Sequence, residues 1–214
     1  MGFFSSVCSF VSGACSAISG AVSSIGSGVA SLATSIASLG VELAGKVGEA
    51  IKAVAVSLGI LKPEENLEEL GEKAMLSDKK PEDFDSINEY IDHLRDNVPL
   101  DKEKFEKLDD KELLARSAIG ASITLKGINE KLDTVVSPEF MAEVAKQDLA
   151  ADQIVGTIKA YKENGLKTVD YGLYLNDELD LDESDKHSDA LVSAYQKLEP
   201  ELTTEQIEDK VMDL

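Results

Sequence analysis

Four side chains, Cys8, Cys15, His93 and His187, are of types that act as nucleophiles or metal ligands. Their spacing gives them little to work with. The two histidines are isolated, without the i, i+4 pairing that puts two imidazoles on one helix face to hold zinc. Each is expected to be a structural histidine. The two thiols lie seven residues apart, on one face of any helix that contains both. They sit in an apolar stretch, where cysteine behaves as a small hydrophobe; lipidation or an intermolecular disulfide is the alternative use. The run from Asp177 to Asp185 is the densest in acid, but it lacks the central glycine and closing glutamate of a calcium loop and reads as a solvated loop. No nucleophile elbow, phosphate loop or dinucleotide fingerprint is present. With 41 carboxylates in 214 residues, two acids close in sequence carry no argument for acid–base chemistry. The expectation is a protein that is not an enzyme, with no cofactor and no bound metal.

The elements that would position any site are marked out by charge. The chain has 41 acidic and 21 basic residues, a formal net charge of -20. Such a balance excludes a nucleic-acid backbone as partner, which calls for clustered Lys and Arg. It also opposes simple electrostatic attachment to anionic lipid. The charge is unevenly placed. Residues 1–41 carry none at all, and up to Lys62 there are only Glu42, Lys46, Glu49, Lys52 and Lys62. This composition break sets the expected domain boundary at Lys62-Pro63: an uncharged arm, 1–62, and an acidic body, 63–214.

Within the arm, Ile18, Val22, Ile25, Val29, Leu32, Ile36, Leu39 and Leu43 follow at alternating steps of four and three. Phe4, Val7 and Val11 begin the same rhythm. This is the seam of a packed helix pair, with no period-two alternation to suggest a strand. Off the seam stand Ser, Gly and Ala where a water-exposed coiled coil has Glu and Lys. Ser12, Ser16, Gly20, Ser24 and Gly28 form one four-residue ladder of small groups, the spacing that lets helix backbones approach inside membranes. Gly26-Ser27-Gly28 reads as a bend between two arms, near 3–25 and 29–51, each of a length to cross about 30 Å of hydrocarbon. Three readings compete: a hairpin packed on its own domain or a partner, a membrane-inserting segment, and a disordered low-complexity tail. The regular spacing disfavours the last.

No basic residue precedes the apolar region, so a conventional signal peptide is not expected. Met1-Gly2-Phe3-Phe4-Ser5-Ser6 matches the bare myristoylation pattern in a poor context.

Residues 63–214 carry helix signals almost throughout. Asp83, Asp109-Asp110, Ser137-Pro138 and Thr203 or Thr204 are expected starts, and Asn164-Gly165 an expected stop. The run Leu113–Leu125 is the most apolar and is expected to be the central core helix. The expected fold class is all-α: a long small-residue hairpin plus an acidic bundle of five or six helices.

With Gly13, Gly20, Gly26, Gly28, Gly40, Gly45 and Gly48 among small residues, residues 1–60 resemble the glycine-zipper membrane-inserting toxins and effectors of bacteria, including pore-forming type VI secretion effectors. The resemblance implies a non-enzymatic effector, secreted or delivered to a target-cell membrane, that permeabilises the bilayer as a homo-oligomer. It also implies a cognate immunity or chaperone protein. Phe3, Phe4, Phe10, Ile18, Val22, Ile25, Val29, Leu32, Ile36 and Leu39 would contact the membrane. Gly20, Ser24 and Gly28 would permit close helix packing. The rival reading is a structural or membrane-breaching component of a larger assembly, a virion or secretion apparatus, whose arm docks into a partner.

Overall fold

The computed structural model describes residues 3–214, with side chains from Ser9 onward. Among the described residues there are twelve α-helices, two 3-10 turns and no strand, so the fold is all-α. The chain divides into two compact units, Met1–Lys131 and Leu132–Leu214. The break expected at Lys62-Pro63 thus separates two compositions, not two compact units. The reason is burial: the arm's apolar face is covered by helices that follow the break.

The first unit begins with α1 (Phe3–Ile25), α2 (Ser27–Ser38) and α3 (Val41–Ser57). Gly26 and Gly40 separate them. Both have positive φ, 79° and 86°, with extended ψ, a conformation that is essentially glycine's alone. Each does the same job. Gly26 N–H donates to Val22 O, closing α1, and Gly26 O accepts from Ala30 N–H, opening α2. Gly40 repeats this with Ala37 and Ala44. The bend at Gly26 is as expected; the second arm is broken again at Gly40. The unit continues with α4 (Leu67–Leu76), α5 (Ile87–Asn97), the one-turn α6 (Lys102–Phe105) and α7 (Asp110–Leu132). Asn66 caps α4, accepting from the amides of Glu68 and Glu69. Asp109 caps α7 through the amides of Lys111 and Glu112, while the Glu112 carboxylate accepts from Asp109 N–H.

Helix α7 is the core of this unit, as its composition predicts. It is buried almost all round from Leu114 to Ile128. Its buried hydroxyls, Ser122 and Thr124, donate to the carbonyls of Ala118 and Gly120, so they need no outside partner. Helices α4 and α7 meet backbone to backbone. A Cβ on Gly71 would lie 1.9 Å from Arg116 O, and one on Gly120 would lie 2.0 Å from Leu67 O. Leu67 thus faces Gly120 while Gly71 faces Arg116, an antiparallel crossing. The nearly buried Arg116–Glu72 ion pair fastens the same junction.

The second unit holds α8 (Pro138–Lys146), α9 (Ala151–Glu163), α10 (Tyr171–Leu175), α11 (Leu181–Leu198) and α12 (Thr204–Met212). Ser137 and Thr203 cap α8 and α12, as expected. The apolar pattern from Phe140 to Ile158 is two helices rather than one, because the chain turns at Asp148, with φ 51°. Such breaks, with short helices like α6 and α10, make nine helices among residues 63–214 where five or six are expected. The core is aromatic: Phe140, Tyr161, Tyr171 and Tyr195 are each buried to 1% exposure or less.

Candidate functional site

The α1–α2 hairpin is the part of the chain whose composition calls for explanation. The structure turns its seam inward. Ile18, Ile25, Val29 and Ile36 are at most 1% exposed, within the first unit. Phe10, Leu32 and Leu39 are half-buried. Val22 points outward, 37% exposed, and Ala21 takes the inner position the stripe assigns to Val22. The buried seam in α1 is Ala14, Ile18, Ala21 and Ile25, which keeps the alternating steps of four and three but is rotated in phase, with the smaller Ala21 inward in place of Val22. Side chains expected to meet lipid are, in this fold, largely packed on protein. The side chains of Phe3, Phe4 and Cys8, and Gly2, lie outside the described residues. Cys15 is a half-buried free thiol.

In this folded chain the ladder glycines Gly20 and Gly28 bring no two helix backbones together. A Cβ on Gly20 would meet nothing within 4 Å, and Ser24 is half-buried. Instead, three arm glycines receive charged side chains from later in the unit. The Lys111 stem lies across Gly13, its Cδ 2.9 Å from a would-be Cβ. Both carboxylate oxygens of Glu82 lie at 2.6–2.7 Å from the corresponding point on Gly26. Lys126 Nζ is 3.1 Å from that on Gly28. Glu82 therefore stands at the positive end of α2, where a carboxylate is favoured, and no Cβ intervenes. The backbone crossing that needs glycine is at Gly71 and Gly120, outside the arm. A glycine in the middle of a strongly helical run was the available signal for it.

The outer face of the hairpin is unusual for a protein of this charge. Ser12, Ser16, Ser19, Gly20 and Ser23 on α1, and Ser31, Ser35 and Ser38 on α2, are exposed. Ser16, Ser35 and Ser38 donate to the carbonyls of Ser12, Ser31 and Thr34, and Thr34 donates to that of Ala30. These hydroxyls are satisfied within their own helix and require no water. Among the described residues, no helix is long and apolar enough to cross a membrane.

The remaining candidates are structural in geometry. His93 packs its ring on Phe84, centroids 5.1 Å apart, and its Nε2 is buried without a hydrogen-bond partner. His187, in the second unit, is buried and hydrogen-bonded to Tyr161. The acidic run is part turn and part helix start: Asp180 caps α11 by accepting from Glu183 N–H, and Asp182 and Glu183 occupy its first turn. No group of three or more His, Cys, Asp or Glu among the described residues is placed to hold a metal.

No protein-family model matches the chain, and no curated protein and no solved structure is significantly similar to it.

Proposed function

We propose that the chain is a non-enzymatic membrane-inserting protein, a pore-forming effector delivered to a target-cell membrane, whose α1–α2 hairpin is stored folded with its apolar seam inward. The observation that carries this reading is the hairpin's outer face. It is exposed to water over two helices, yet it bears no charge, and several of its hydroxyls are bonded within their own helices. Such a face gains little from water and loses little in lipid.

Two features of the hairpin support its leaving. The centre of its unit is α7, and α1 and α2 are peripheral, joined to each other and to α3 by glycines of positive φ. Release has a cost. Ile18, Ile25, Val29 and Ile36 each represent about 1.5–3 kcal/mol of burial, together about 6–12 kcal/mol. That is comparable to a whole domain's stability, so the hairpin leaves only where another apolar medium reburies the seam. With twelve residues α2 is too short to cross a bilayer alone, and the reading calls for several copies, with small residues in contact and serines facing one another or water. A cognate immunity or chaperone protein would cover the hairpin before delivery.

Flotation of the intact chain with liposomes tests this. Recovery with the vesicles supports insertion. A chain that stays at the bottom of the gradient across lipid compositions and pH contradicts it. The exposed, uncharged face, with Val22 at 37% exposure, also supports the rival reading of docking into a larger assembly; that reading predicts no flotation but protection of the hairpin from protease by the partner.

A further inference from the structure

The second unit contains one imidazole that ties three helices together. His187 on α11 is 4% exposed. Its Nδ1 lies 2.7 Å from the Tyr161 hydroxyl on α9. Tyr161 meets the ring edge-on, at 5.0 Å and 85°, and Tyr174 on α10 stacks on it at 5.6 Å and 16°.

We propose that His187 is an acid-released catch: neutral, it holds α9, α10 and α11 together, and protonated it lets them loosen.

The hydrogen bond has a direction. Burial pushes the Tyr161 hydroxyl far above its ordinary range, so it stays protonated and donates. Nδ1 must then accept, which requires an unprotonated nitrogen there. A proton added to Nδ1 confronts the phenol with a second N–H donor. Tyr161 must swing its own hydrogen away inside a site walled by Tyr171, 5.9 Å off.

The charges around the ring set the balance. Asp170, just before α10, and Glu183 on α11 favour the imidazolium, and the stacked Tyr174 face offers a cation modest help. Lys167 and Lys186 line the same cleft, of about 340 Å³, which His187 also lines. Burial outweighs the two acids and holds His187 below the ordinary histidine value. A histidine depressed in the fold contributes stability that is present above about pH 6.5, its unfolded value, and is lost as pH falls toward the folded one. The window is mildly acidic, above that in which ordinary carboxylates protonate. The inference does not rest on the bilayer reading; a chain that never binds lipid would still show it.

Hydrogen–deuterium exchange on the intact chain at pH 7.5 and 5.5, corrected for the intrinsic rate, tests it. Opening of α9 and α11 is expected to rise about threefold or more on acidification, and this rise is expected to vanish in His187→Gln. An unchanged wild-type chain, or an equal rise in the variant, overturns the proposal. Where the variant fails to fold, the His187 ring resonance of the native chain decides: titration below 6.5 supports the catch, and titration at or above 6.5 overturns it.

Discussion

Glu82 sets both carboxylate oxygens against Gly26, at distances that only a residue without a Cβ permits. The same glycine has a φ of 79° and ends α1. The acid belongs to the charged part of the first unit, the glycine to the uncharged hairpin. Their contact joins the two compositions at the elbow, where the hairpin would have to open.

Glycines of the arm are therefore not equivalent, and two alanine substitutions should differ in sign. Gly26→Ala places a Cβ on a strained backbone and into Glu82, and is expected to destabilise the unit by about 1–3 kcal/mol. Gly20 lies in mid-helix, with open space around it. Gly20→Ala is expected to stabilise by about 0.5–1 kcal/mol. Urea titration of each variant measures both; equal effects would contradict this assignment.

The α4–α7 crossing makes a harder demand. A methyl at Gly120 would overlap the Leu67 carbonyl, and backbone has no other rotamer to adopt. Gly120→Ala is expected to cost about 3 kcal/mol or more, through separation of two core helices. A variant with an unchanged unfolding midpoint would contradict the close approach.

Beside that crossing, Arg116 is 8% exposed and paired with Glu72. Glu72→Gln strands a buried guanidinium and should cost about 3–5 kcal/mol. Adding Arg116→Met should recover much of the loss, because no unpaired charge then remains. Thermal unfolding of the two variants tests this; a double variant no better than the single one would contradict it.

Glu65 gives the first unit an acid limit. Burial alone would raise its pKa, but two hydrogen bonds from Arg95, one from Lys62 N–H and the nearby positive charges outweigh burial and hold it below 4.5. A depressed carboxylate stabilises the fold above its unfolded value, near 4.5, and that stability is lost as pH falls from there through the folded value. Glu65→Gln should flatten the loss of stability below pH 4.5, measured by urea unfolding at pH 3.5, 4.5 and 6. An unaltered pH profile would contradict it.

Much of the fold was legible because local signals agree with tertiary structure. Ser137-Pro138, Asp109 and Thr203 start helices, Gly165 stops one, and the apolar run around Ile119 is the buried helix. The misreadings have physical causes. Two seams of equal spacing run through α1; side-chain size favours the one through Val22, whereas the fold buries the one through Ala21. The composition break at Lys62 marks no boundary between units, because burial of the arm depends on partners distant in sequence. The ladder through Gly20 suggested close helix packing, while the tightest approach lies between Gly71 and α7, where one glycine in each helix gave only a faint signal. The Tyr161–His187 pair leaves no local signal, since its members are 26 residues apart with α10 between them.

The central claim is that the uncharged outer face of α1–α2 serves entry into lipid. Ser19 and Ser23 lie exposed on that face, so Ser19→Glu with Ser23→Glu should leave the melting temperature nearly unchanged. In a bilayer each added carboxylate costs about 2.5–3.5 kcal/mol at the helix centre. Dye release from liposomes by the intact chain is expected to be abolished in the double variant. A wild-type chain that releases no dye, or a double variant that releases it equally well, would contradict the account.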